Sequence, residues 1–187
     1  MSGTKKKTIL RTIRLSEEVD DLLERDAQEH NISVNGLISK IMTKYTEWDR
    51  YTEKLGFVSF SKIILKAAIN EMADETLEKI AKAQATQRTK TWAMWAFGKS
   101  SFETLLKAIS LMGKYEGIWS IETKCNRDCV ITLHHDIGRK GSLYTKYFFD
   151  TVIREEMRSI PTIDTTDDTV IVSFPVPLES RTPKNRQ

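Results

Sequence analysis

A chain of 187 residues, 40% hydrophobic and 29% charged, has room for one small module and one further folded domain. Its formal net charge of +3 and pI near 8.8 do not by themselves indicate a nucleic-acid partner. No apolar run approaches the roughly 20 residues of a membrane span, and the lysine-rich start leads into a strand pattern rather than a signal-peptide apolar core, so a cytoplasmic chain without membrane contact is expected.

The first predicted element is a strand within Lys5-Lys6-Lys7-Thr8-Ile9-Leu10-Arg11-Thr12-Ile13-Arg14-Leu15. Side chains alternate in an extended chain, so Thr8, Leu10, Thr12 and Arg14 share one face while Ile9, Arg11, Ile13 and Leu15 share the other, mostly apolar face. Thr12 and Arg14 are residue types that read bases in the major groove, Arg through guanine O6 and N7 and Thr through its hydroxyl or methyl. Leu10 offers only apolar contact there. Arg11, near the strand's start, reaches more naturally to a phosphate. The five cations Lys5, Lys6, Lys7, Arg11 and Arg14 all precede the first acidic residue, Glu17, which concentrates positive charge where phosphates would lie.

Ser16 is a helix cap, Glu17 and Glu18 suit the positive end of the helix dipole, and Val19, Leu22, Leu23 and Ala27 form a helical apolar stripe. The acidic run Glu17, Glu18, Asp20, Asp21, Glu24, Asp26 and Glu29 is a solvated face that points away from DNA. This helix should stop near His30 and Asn31. Ser33 caps the next, with the stripe Val34, Leu37, Ile38, Ile41, Met42 and Tyr45. A strand and two short helices cannot build a core alone, because units below about 40 residues need oligomerisation, metal or disulfides. The module is therefore expected to be an obligate dimer, with two strands paired antiparallel as a ribbon and four helices supplying the core.

On Arg11-Thr12-Ile13-Arg14-Leu15-Ser16 and Asn31-Ile32-Ser33-Val34-Asn35-Gly36-Leu37-Ile38, the segment 1–51 resembles a ribbon-helix-helix DNA-binding module of the MetJ/Arc/CopG class. The resemblance implies that Leu10, Thr12 and Arg14 read bases and that the backbone amides of Ser33, Val34 and Asn35 clamp a phosphate. The second role also follows from the anion affinity of a helix N-terminus. Nickel-responsive regulators of this class join the module to a ferredoxin-like sensory domain. Their histidine-rich ligand pattern is not reproduced here, so the resemblance implies no nickel, and no metal or cofactor is expected.

Residues 52–90 read as a helical connector. Gly56 interrupts it, Phe60, Ile63, Ile64, Ala67 and Ala68 give one apolar face, and Asp74 caps a further helix through Leu77, Ile80 and Ala81. Residues 91–178 read as an α+β domain. The aromatic-rich run 91–97 fits either strand or helix; a helix over 102–115, strands over 118–124 and 129–135, a helix over 142–158 and a strand over 169–176 follow. With 91–97 as a strand the order is β-α-β-β-α-β, a ferredoxin-like sandwich. The tail 179–187, basic and proline-containing, is expected to be disordered.

In the predicted hairpin Cys125 lies opposite Cys129, and Trp119, Ile121, Thr123, Cys125, Cys129, Ile131, Leu133 and His135 share one face. Cys125, Cys129 and His135 are candidates for a metal site or thiol switch. His135 falls at the far end of the hairpin from the cysteines, which argues against a single site, and buried thiols acting as small hydrophobes is the preferred reading. Two cysteines give no disulfide framework of the secreted type. There is no phosphate-binding glycine loop, no paired-histidine zinc helix, and no nucleophile elbow at Ser142. The expected function is a dimeric, sequence-specific transcriptional regulator that binds double-stranded DNA, its C-terminal domain taking a small-molecule effector or adding subunit contacts. An antitoxin or plasmid-maintenance protein that grips a protein partner is the alternative, with an enzyme bearing a DNA-binding arm behind it.

Overall fold

A computed structural model describes residues 9–177 of the chain. Lys5, Lys6, Lys7 and the tail 179–187 lie outside the described residues. The chain divides into two compact units between Lys44 and Tyr45, ahead of the boundary at 51 read from the sequence.

In the first unit α1 (Glu17–Glu29) and α2 (Val34–Lys44) stand where the apolar periodicity predicts them. Ser16 precedes α1 in an extended conformation, and Glu17, Glu18 and Asp20 occupy the first turn, at the positive end of the dipole. Asn31, at φ +53°, adopts the left-handed conformation that asparagine tolerates and turns the chain towards Ser33. Residues 9–15 form neither helix nor hydrogen-bonded strand within the single chain.

The second unit begins with a π-helical turn, Tyr45–Asp49, and the short α3 (Arg50–Thr52). α4 (Lys62–Glu71) is capped by Ser61, whose hydroxyl accepts the Ile64 N–H at 3.4 Å, and α5 (Asp74–Gln84) runs through a second π turn, Ala85–Thr89, into α6 (Lys90–Phe97). The sequence reads 52–90 as a connector, but Ile69, Leu77, Ala81 and Ala85 are buried, and the two alanines belong to the same core as the sheet. These helices are part of the domain. Residues 91–97 are helix, so the ferredoxin-like order is not formed. The reason is local: adjacent Trp92 and Ala93 are both buried, which no strand facing one core allows, and Gly98 at φ +72° ends the helix.

α7 (Phe102–Tyr115) opens on a reciprocal cap between Ser101 and Thr104. β1 (Ser120–Cys125), β2 (Asp128–His134), α8 (Arg139–Glu155), β3 (Thr162–Thr165) and β4 (Thr169–Pro175) follow. The sheet is antiparallel throughout in the order β1-β2-β4-β3, two hairpins side by side with α8 crossing between them. β3 is absent from the sequence reading. The β1–β2 register matches it, with Cys125 opposite Cys129 and Ile121 opposite Leu133.

Cys129, Ile131 and Leu133 on β2 and Val170, Val172 and Phe174 on β4 form one buried sheet face. Leu105 and Ile109 of α7 and Phe148, Phe149, Val152 and Ile153 of α8 complete that core. A second cluster joins the first π turn to α6 and α7, where Trp48 meets Trp92 edge-on at 4.9 Å. Gly113 lets α7 approach β1, since a Cβ there would lie 2.6 Å from Ile121 Cβ.

An alanine in place of a helical glycine ordinarily gains about 1 kcal/mol of helix propensity. At Gly113 the collision with Ile121 reverses the sign, and overpacking of this kind costs about 1 to 3 kcal/mol. Gly113→Ala is expected to lower the thermal midpoint of the chain; an unchanged or raised midpoint would contradict the close approach of α7 to β1.

Candidate functional site

The first unit places its base-reading candidates outside its own packing. Leu10 is 93% exposed, and Arg11, Thr12 and Arg14 are exposed as well. Ile13 and Leu15, one residue out of phase with them, line an open apolar groove of about 200 Å³ with Val19 and Leu23 of α1 and Ile38, Ile41 and Met42 of α2. Of residues 9–15 the groove takes Ile13 and Leu15, not Leu10, Thr12 or Arg14. Among residues 9–44 only Ala27 is buried. Val19, Leu22, Ile41 and Met42 remain between 42% and 54% exposed, so the apolar faces of both helices are uncovered.

At the start of α2, Ser33 Oγ accepts the Gly36 N–H at 3.1 Å and its carbonyl accepts the Leu37 N–H at 2.9 Å. The amides of Val34 and Asn35, ahead of them in the first turn, have no partner within the helix. No acidic residue stands in that turn, so the positive end of the dipole is not neutralised by its own helix. Unpartnered amides and a positive dipole end are the ingredients of an anion site.

The cysteine and histidine candidates fall apart into two places. Cys125 and Cys129 are joined by a disulfide, Cys129 buried and Cys125 exposed, so the pair is neither two free thiols nor wholly core. The hairpin explains this, because opposed residues next to a tight turn bring their side chains together, and Cys125 lies on edge strand β1 while Cys129 lies on the interior strand β2. His135 lies six residues from Cys129 along the chain, about 20 Å at the rise of an extended strand. Among the described residues no group of three or more His, Cys, Asp and Glu is placed to hold a metal ion.

His135 meets a residue that the sequence reading set aside. Its Nε2 stands 2.9 Å from Ser142 Oγ, and its Nδ1 accepts the Ile137 N–H at 3.3 Å. That amide fixes the tautomer: Nδ1 is the acceptor, so Nε2 carries the proton and donates to Ser142. A nucleophilic serine needs the reverse, with the imidazole accepting the hydroxyl proton, so this pair is not an activated dyad. The helix around Ser142 begins at Arg139, three residues earlier than expected, because Gly141 packs in the first turn where a Cβ would lie 2.6 Å from Ile137 Cβ and 3.2 Å from His135 Cε1. The signal for this contact was the parity of His135 on the buried sheet face, joined with the glycine beside Ser142.

No protein-family model matches the chain, and no curated protein matches it.

Burial holds the His135 imidazole below its ordinary value, favouring the neutral form. In the pH interval below about 6.5 the unfolded chain therefore binds more protons than the folded one at this site, and stability rises with pH there. His135 contributes fully above that interval, and its contribution is lost as pH falls through it. The slope of unfolding free energy against pH between about 5 and 7 should flatten in His135→Gln; an identical slope in the variant would show that His135 is not linked to folding.

Proposed function

We propose that the chain is a sequence-specific, DNA-binding transcriptional regulator that works as a homodimer, with residues 9–15 of two copies paired as a ribbon in the major groove of double-stranded DNA. One observation carries the reading. The segment's apolar residues Ile13 and Leu15 face an uncovered groove of α1 and α2, while Leu10, Thr12 and Arg14 are left out of it. A second copy would cover the groove and supply the missing ladder, and the outward residues would then form the reading face. Thr12 and Arg14 supply hydrogen bonds to base edges and Leu10 an apolar contact. The amides of Ser33, Val34 and Asn35, with Lys5, Lys6, Lys7 and Arg11, hold phosphates and fix the register.

The antitoxin alternative draws less support, because residues 45–177 have a core of their own rather than the short unstructured tail that grips a toxin. A regulator of DNA is placed with the DNA it reads, in the cytoplasm expected from the sequence.

The assembly is testable on the full chain. It is expected to sediment as a dimer, and Ile41→Lys, which sets a cation in the groove, should release monomers while the second unit's unfolding stays unchanged. A wild-type chain that remains monomeric at high protein concentration would remove the ribbon. Reading is testable on a site selected from random duplexes: Arg14→Ala should cost about 1 to 3 kcal/mol there and relax one position, whereas Lys6→Ala should weaken all duplexes alike and lower the salt slope by about one. Equal losses for Arg14→Ala on selected and random duplex would take Arg14 out of base reading.

A further inference from the structure

The second unit has a polar concavity that the DNA reading does not use. α8 presents Arg139, Ser142 and Lys146 on one face, at the three- and four-residue spacings that align side chains on a helix. Together with Leu143 of the same helix, Thr165 at the end of β3, and Thr166 and Asp167 of the β3–β4 turn, they line a pocket of about 180 Å³. This is smaller than the roughly 300 to 1,000 Å³ of sites that enclose drug-sized molecules. The occupant is correspondingly small.

Its chemistry follows from which groups are already engaged. Ser142 is 2% exposed, and its oxygen accepts from His135 Nε2, which leaves the hydroxyl proton to be donated elsewhere. The Thr166 hydroxyl is committed, donating to Asp168 and accepting the Asp168 and Thr169 amides. Arg139 reaches Asp74 at 3.3 Å through one terminal nitrogen, a partly exposed pair that leaves further guanidinium donors. Lys146 is exposed and has no ion pair among the described residues. The first turn of α8 carries no acidic residue; Lys140 there is already engaged, donating to the Asn70 and Met72 carbonyls, so it is no part of the lining. Asp167 is the one opposing charge in the lining.

We infer that this pocket binds a small phosphoryl anion, free phosphate or the phosphate group of a small metabolite, between the side chains of Arg139 and Lys146 with the Ser142 hydroxyl as a buried donor. A guanidinium, an ammonium and a hydroxyl together offer enough donors to serve the several acceptor oxygens of a phosphoryl group. Gly141 and His135 position Ser142 for this role: the glycine admits the imidazole, and the imidazole takes the serine's acceptor side. The inference concerns the second unit alone and does not depend on the DNA reading.

The test is a titration of the full chain with inorganic phosphate at constant ionic strength, followed by amide chemical shifts and calorimetry. Saturable binding with shifts at residues 139–146 and 165–167 is expected, with glycerol 3-phosphate binding at the same site. Lys146→Gln should weaken phosphate at least fivefold without changing the thermal midpoint of the unliganded chain. Asp167→Asn should tighten it severalfold, and Lys124→Gln, on the distant edge strand, should leave it unchanged. Ser142→Ala is the less clean variant, because it strips His135 of its acceptor. Linear, non-saturating shifts, an unaffected Lys146→Gln, or equal losses for Lys124→Gln and Lys146→Gln would overturn the site.

Discussion

Residues 9–44 contain too much apolar surface and too little interior. Two amphipathic helices and a seven-residue segment bury one alanine among them, and the stripes that would form a core in a larger domain stay half exposed. Burying a Leu, Ile, Val or Met side chain contributes about 1.5 to 3 kcal/mol, so leaving several uncovered forgoes most of what would hold so short a unit together. Much of the functional account depends on this shortage. On the proposed reading a second copy would cover this surface, give residues 9–15 a ladder, and so decide which side chains face outward.

The second unit has no such deficit. Its sheet buries one face against α7 and α8, with α5 contributing to the same core, and Phe149, Ile153, Val170 and Val172 are almost wholly enclosed. Polar groups gather instead at one end of the sheet, where β2 runs into His135 and the β3–β4 turn meets the first turns of α8. The His135 tautomer decides what this end can do. Held by the Ile137 amide, the ring donates to Ser142 and does not take its proton.

Much of this was legible in the chain. The N-cap positions Ser16 and Ser33 and the stripes behind them located α1 and α2, although only Ser33 closes its cap with its side chain, and the three-residue turn Asn126 to Asp128 located the β1–β2 register to the residue. Alternation has period two, so a slip of β2 by one residue would turn Ile131 and Leu133 away from the core they fill. The run 91–97 was not legible, because aromatic residues suit strand and helix alike and its decisive feature, helical continuity from α5 through the π turn at 85–89, is a tertiary outcome. β3 was missed for its shortness: in Thr162-Ile163-Asp164-Thr165 only Ile163 is apolar. The role of Ser142 was hidden because its partner lies across a turn and its helix begins inside a stretch, Gly138 to Gly141, whose glycines read as loop.

The most direct measurement is an isotope-filtered nuclear Overhauser experiment on a mixed sample of labelled and unlabelled full-length chains. The account predicts contacts between chains among backbone protons of residues 9–15, in an antiparallel pattern centred within that segment, and between side chains lining the groove at Ile13, Ile38 and Ile41. A sample whose chains associate without any such contact in 9–15, or do not associate at all, would contradict it.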